Sequence, residues 1–278
     1  MEKFTKTVLV ADALNLGSHW VYDQAKLATL YSKGLTEFTS PNSPYHPNRV
    51  AGQFTHIGDQ TLFLHQCLEA NNGTYSLEQW RAWWIEKMSS YDGYIDSATK
   101  TTLASDAKTP SDSNEFAVLA RIAPILDNSK DWLTDATSQA NLTHGSPMIN
   151  DAILFIILTV QEIEKGSDFA TALQAASSFA DFQHLPKSPI LMIKEAFNKT
   201  PEMALETALE YGQACSLENA LPLTIYLAIH HGNSFNECLD INALMGGDTS
   251  ARACVLALLF AAKDPDTAAE FYPKLTLQ

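Results

Sequence analysis

The chain has 278 residues, with 18 Lys and Arg against 32 Asp and Glu, a formal net charge of −14 with histidines neutral. That balance excludes the basic surface that a nucleic-acid backbone or an anionic membrane requires. It still allows an anionic small molecule held by helix N-termini and one arginine. Hydrophobic residues at 46% against 18% charged residues can build a core, and disorder is excluded. Twelve glycines and twelve prolines are few for an all-β chain, so helix is expected.

From the N-terminus, MEKFTKTVLVADALNL has two lysines and an apolar run that Asp12 interrupts, so no leader is expected. Pro41 to Phe54 holds three prolines and reads as a long loop of the kind that carries function. Ser76 to Tyr91 opens with a capping box, Ser76 and Gln79, followed by Leu77, Trp80, Trp84, Ile85 and Met88 at helical spacing. Trp80, Trp83 and Trp84 are expected as anchors of that helix. Asp92 to Ser113, rich in Ser, Thr and Asp, reads as a second long loop over the same face.

Met148 to Lys165 is apolar on most sides and stops at Gly166, a buried helix with a glycine cap. A further helix starts at Thr200-Pro201 and runs to Gly212, and Leu221 to Ile229 is helix by length and neighbours. His230-His231 suits a helix C-terminus. Ser234 and Glu237 form a second capping box, and Arg252 to Ala262 is apolar after its first residue. The longest apolar run, Ala152 to Leu158, is far below the ~20 residues of a membrane span. Cys67, Cys215, Cys238 and Cys254 form no CxxC pair, and reduced thiols are expected. One all-α domain over residues 1–278, soluble and cytoplasmic, is the expectation.

Two segments share a form. Gly58-Asp59-Gln60-Thr61 precedes the apolar helix Leu62 to Glu69, and Gly247-Asp248-Thr249-Ser250 precedes the last apolar helix. Each aspartate is either a plain N-cap, or the two helix ends converge on one pocket where aspartates hold a cation or activate water. His144 is either a hydrogen-bonded structural residue or a proton donor lining that pocket. Arg252 is either the buried partner of an aspartate or a phosphate clamp.

These segments resemble the ADP-ribosylglycohydrolase superfamily. Its Gly-Asp-Ala-Leu-Gly, Thr-Asp-Asp-Thr and Gly-Gly-Asp-Thr-Asp-Thr motifs correspond to Ala11-Asp12-Ala13-Leu14-Asn15, Gly58-Asp59-Gln60-Thr61 and Gly246-Gly247-Asp248-Thr249-Ser250-Ala251. Thr143-His144 matches a mid-chain Thr-His pair. The resemblance implies an orthogonal all-α bundle and a pair of divalent metals on carboxylates. Here His19 stands at the Glu position, Gln60 at the second Asp and Ser250 at the last, so three carboxylates of five are replaced. A paired site is therefore not expected; Asp59 and Asp248 with His19 could hold at most one ion, Mg²⁺ or Mn²⁺, and a softer one would tolerate the imidazole. The replacements resemble those of the branch with jellyfish J-crystallins and selenoprotein J.

The resemblance implies an N-glycosidic hydrolase for an ADP-ribose-type or related nucleotide-sugar-like ligand. Asp12, Asp59 and Asp248 are expected around one cleft. Asp59, Asp248 and His19 would be catalytic. Asp12, Gln60, Thr61, His144, Gly246, Gly247, Thr249, Ser250 and Arg252 would bind ligand, with Arg252 neutralising the lost metal site. The alternative is a non-catalytic binding or crystallin-like structural protein, a pseudoenzyme that kept the fold.

Overall fold

The computed structural model describes residues 1–179 and 181–276. It contains fourteen α-helices among the described residues. The first seven are α1 (Lys3–Asn15), α2 (Gln24–Leu30), α3 (His56–Ala70), α4 (Leu77–Ser89), α5 (Ser97–Ala104), α6 (Ile122–Asn128) and α7 (Trp132–Ala140). They are followed by α8 (Pro147–Glu164), α9 (Phe169–Phe179), α10 (Pro189–Phe197), α11 (Ala204–Tyr211), α12 (Leu217–His231), α13 (Phe235–Met245) and α14 (Thr249–Lys263). No strand forms among the described residues; extended pairing is limited to isolated bridges such as Val21 with Gly247. No helix among the described residues is long and apolar enough to cross a membrane.

The core is organised around α1 and α14. Both are buried on nearly every side, because their sequences, KFTKTVLVADALN and TSARACVLALLFAAK, place apolar or small residues all round. They run antiparallel, with Thr249 beside Asn15 and Cys254 beside Val8. Each fully buried leucine of α14 contributes about 2 kcal/mol by leaving water. The start of α1 is capped by a remote residue, since Asp127 accepts from the backbone N–H groups of Phe4 (3.0 Å) and Thr5 (2.8 Å).

Most expected helices form where the local signals place them. Ser76 and Ser234 cap α4 and α13, accepting from the N–H groups of Gln79 and Glu237. Gly166 follows α8 at φ +102°. Two expectations need correction. The 92–113 segment is not one loop: Asp96 caps α5 by accepting from Thr99 N at 2.7 Å. The helix expected from Leu62 starts earlier, at His56, with Thr55 as its cap, so Gly58, Asp59 and Gln60 lie inside its first turns.

Candidate active site

The turn after α1 is locked to the start of α14. Trp20 donates its N–H to the Gly247 carbonyl at 2.7 Å, and Gly247 returns a bond to Val21 O at 2.9 Å. Gly247 has φ +70°, and a Cβ there would collide with the Gln213 carbonyl, so glycine is required. Trp20 itself sits at φ +58°, a strained conformation for a bulky residue.

This turn walls a cavity of about 220 Å³, whose lining includes Trp20, Tyr22, Tyr45, Tyr94 and the carboxylates of Asp96, Glu115 and Asp248. Trp20, Tyr45 and Tyr94 pack edge to face, with centroids 4.8 to 5.8 Å apart. No lysine or arginine is among its described lining residues. A narrow recess continues past Asp96 and Glu115 to Gln60, Arg121 and His144.

Burial raises the Glu115 carboxyl to about 7, with Asp96 and Asp248 adding repulsion. Asp96 moves the other way: burial opposes ionisation, but His56 and two hydrogen bonds from Thr99 outweigh it. Burial lifts Asp248 to about 6, partly offset by the Arg252 charge. Neither carboxylate oxygen of Asp248 has a hydrogen-bond partner, although it stands where an N-cap would. Burial also pushes Cys215 up to about 12, so its thiol stays protonated beside Glu115.

The other candidates divide into those at the cleft and those behind it. Gln60 accepts from Trp84 Nε1 at 2.9 Å and from Arg121 at 3.1 Å, and lines the recess. His144 lines it too, with Nδ1 on Thr143 Oγ1 at 2.8 Å and Nε2 4.0 Å from Glu115. Burial and Arg121 hold its ring near 3, so it is neutral. Thr61 bonds its own helix at Ile57 O, Thr249 bonds Ser18, and Ser250 is fully buried. Gly246 and Gly247 shape the turn through their backbone.

Asp12 is buried against Thr55, accepting from its N–H at 2.8 Å and its hydroxyl at 2.6 Å, and burial raises it to about 7. Gly58 makes room for that carboxylate; a Cβ would collide with it. Asp59 lines a different cavity, of about 190 Å³, and is held by Arg49 at 2.9 Å and by the Tyr91 hydroxyl at 2.5 Å. The three aspartates therefore do not ring one cleft. Burial lifts Asp59 despite Tyr91 and Arg49, whereas burial pulls Arg49 down and Asp59 more than offsets it. The guanidinium keeps its charge, so we take the pair as ionised.

Arg252 also departs from expectation. It is fully buried, but its Nε donates to Asn242 Oδ1 at 2.8 Å and Nη2 to the Gly246 carbonyl at 2.6 Å. Asn242 in turn donates to Asn15 Oδ1 and Thr249 O, so Arg252 braces the α1–α13–α14 junction. It makes no ion pair with Asp12, Asp59 or Asp248 within 4 Å. The cation that neutralises a motif aspartate is Arg49, which the sequence reading did not single out.

His19 is buried behind Trp20, with ring centroids 4.2 Å apart, and its Nδ1 is 3.4 Å from Asp248 Oδ1. Burial and the neighbouring His46 and His56 lower its pKa. It does not line the cleft. Trp20, Tyr45, Tyr94, Asp96 and Glu115 were missed by sequence reasoning; the only signal was that two long segments lay over one face.

An ADP-ribosylglycohydrolase family model matches residues 7–265. The chain belongs to the ADP-ribosylglycohydrolase family. Among solved structures, one titled "ADP-ribosylglycohydrolase-related protein complex" is 17% identical at a TM-score of 0.68, covering 94% of this chain and 88% of that one. That likeness confirms the all-α fold. A search of curated proteins gives no match.

ADP-ribosylglycohydrolases are typically metal-dependent, and the residues here do not fit a carboxylate-held Mg²⁺ or Mn²⁺ pair. Asp12 is saturated by Thr55, Asp59 by Arg49 and Tyr91, and Asp248 faces another cavity. For the same reason Asp59 and Asp248 do not share a single ion. Hard cations need several convergent oxygens, which this arrangement lacks.

Proposed function

We propose that the chain hydrolyses an N-glycosidic bond of an ADP-ribose-type or related ligand, using an acid–base site in the aromatic cleft. The observation that carries this reading is a cleft walled by Trp20, Tyr22, Tyr45 and Tyr94 and by three carboxylates, with no lysine or arginine among its described lining residues. Such a lining suits the glycosyl end of the ligand, where positive charge develops as the bond breaks, and repels a diphosphate. The phosphates would then extend out of the cleft.

Glu115, with its carboxyl raised to about 7, keeps a proton near neutrality and donates it to the leaving nitrogen. Asp96 stays ionised and stabilises the cationic transition state. Asp248, unpartnered and ionised above about 6, orients and deprotonates the attacking water. Trp20, Tyr45 and Tyr94 exclude bulk water and pack against the sugar whose glycosidic bond is broken. The proton lost by water passes to Asp248, and the one gained by the leaving group comes from Glu115. Asp59 and His19 do not reach the cleft and have no step here.

We place the chain in the branch with J-crystallins and selenoprotein J, on the His19, Gln60 and Ser250 replacements, and take it as a single functional unit acting in the cytoplasm. The second reading, a binding or structural protein, is favoured by those same lost carboxylates. A panel of ADP-ribosyl and ribosyl N-glycosides separates the two. Turnover that falls ~10²–10⁴-fold in Glu115→Gln, with the fold intact, supports hydrolysis. Ligand binding without turnover by the wild type, unchanged in Glu115→Gln, overturns it.

A further inference from the structure

One buried cluster behind the cleft, which His56 also lines, was given no step in that chemistry. His19 follows α1, His46 lies in the loop over residues 41–54, and His56 opens α3, so three separate segments bring imidazoles together. Ring centroids are 5.3 Å apart for His19 and His46, 6.1 Å for His19 and His56, and 5.7 Å for His46 and His56. One ring nitrogen from each lies within 4.8 Å of the others. All three residues are buried, and His19 Nε2, both nitrogens of His46 and His56 Nδ1 lack a hydrogen-bond partner. Packing alone does not select this arrangement, because apolar side chains would fill the space without stranding polar atoms.

We propose that His19, His46 and His56 bind one borderline divalent transition ion, Zn²⁺ in the first instance, built on nitrogen rather than on the carboxylates typical of the family. Imidazole suits zinc and its neighbours, whereas magnesium and calcium demand oxygen. A tetrahedral zinc holding each nitrogen at ~2.0–2.1 Å sets them about 3.3 Å apart, so the rings must close in modestly. His46, on a loop, can supply that movement.

Asp248 adds a second feature. Its Oδ1 lies 3.4 Å from His19 Nδ1, which accepts from the Ser250 N–H at 3.4 Å, so the unpartnered Nε2 is the nitrogen of that ring open to the cluster. An ion on Nε2 would move the ring proton to Nδ1, where Asp248 can accept it as the carboxylate partner of a ligating histidine. The unpartnered Asp248 carboxylate also supplies negative charge for an ion held by neutral rings. Trp20, stacked on His19, covers the cluster on one side. A bound ion would tie the 41–54 loop to the ends of α1 and α3.

The purified chain, stripped with a chelator, is titrated with Zn²⁺ by calorimetry while bound metal is counted by mass spectrometry. One Zn²⁺ per chain at a Kd of about 1 µM or below is expected, with Mg²⁺ giving no heat under the same conditions. His46→Gln should weaken zinc at least ~10-fold, whereas His65→Gln, outside the cluster, should leave it unchanged. Should His46→Gln unfold, the visible spectrum of the Co²⁺-loaded wild type decides: nitrogen ligation supports the site, and oxygen-only ligation overturns it. Failure to bind zinc, or wild-type affinity in both His46→Gln and His56→Gln, also overturns it. Glu115→Gln should keep the zinc, so loss of hydrolysis and loss of metal are separate outcomes.

Discussion

Asp59 and Asp248 occupy matching places in two Gly-Asp segments, each beside an apolar helix, yet their surroundings are opposite. Asp59 is one turn inside α3 and is held by Arg49 and Tyr91 at 2.9 and 2.5 Å. Asp248 stands at the N-cap position of α14 with neither oxygen partnered, facing an aromatic cleft. A saturated carboxylate holds the molecule together; an unpartnered one is free to work on a ligand. The difference comes from Arg49 and Tyr91, both outside the motifs.

The largest expected stability change probes the brace behind the Asp248 turn. Arg252→Ala strips the donors from Asn242 Oδ1 and the Gly246 carbonyl inside the core, and should cost ~3 kcal/mol in urea unfolding. An unchanged midpoint would mean that α13 and α14 hold the turn without it.

The two aspartates should respond with opposite signs. Asp248→Asn removes a buried carboxylate whose carboxyl is raised to about 6 from 3.8, and should stabilise the chain by ~2–3 kcal/mol at pH 7. Above pH 6 both folded and unfolded states ionise there, so the full penalty is present. As pH falls from about 6 toward 3.8 the folded state takes the proton first, and the gap between variant and wild type should close. A gap that stays constant across this range would show Asp248 to be paired after all.

Asp59→Asn should instead destabilise by ~2 kcal/mol, because it weakens the Arg49 and Tyr91 bonds and leaves a buried guanidinium resting on Asp92. Thermal melts of the single variants and the Asp59→Asn/Arg49→Met double variant test this, with the double variant recovering most of the loss.

The subtlest expectation is kinetic. With Asp248 as base and Glu115 as acid, the rate should rise through about pH 6 and fall through about pH 7. Asp248→Asn should erase the acid limb and Glu115→Gln the alkaline one. Asp59→Asn should shift neither. A limb that moves with Asp59 would place that carboxylate back in the reaction.

The helices were legible because their signals are local. Capping boxes at Ser76 and Ser234, glycine after α8 and continuous apolar faces in α8 and α14 depend on neighbours within a turn or two. The family resemblance held over residues 7–265. The start of α3 was misread because Thr55 caps it, an ST cap that precedes the glycine taken as its boundary.

The site was less legible for a physical reason. Trp20, Tyr45, Tyr94, Asp96 and Glu115 stand in connecting segments with no periodicity, and they meet only when α1, α3 and α14 have packed. One-turn spacing pointed Arg252 at Asp248, whereas Asn242, ten residues upstream, takes its donor. Composition and periodicity thus determined an all-helical chain. Tertiary structure alone decided which aspartate is neutralised, which carboxylates share a cleft and which histidines converge. Those outcomes depend on distances between residues far apart in sequence, and on how much water each buried charge has lost.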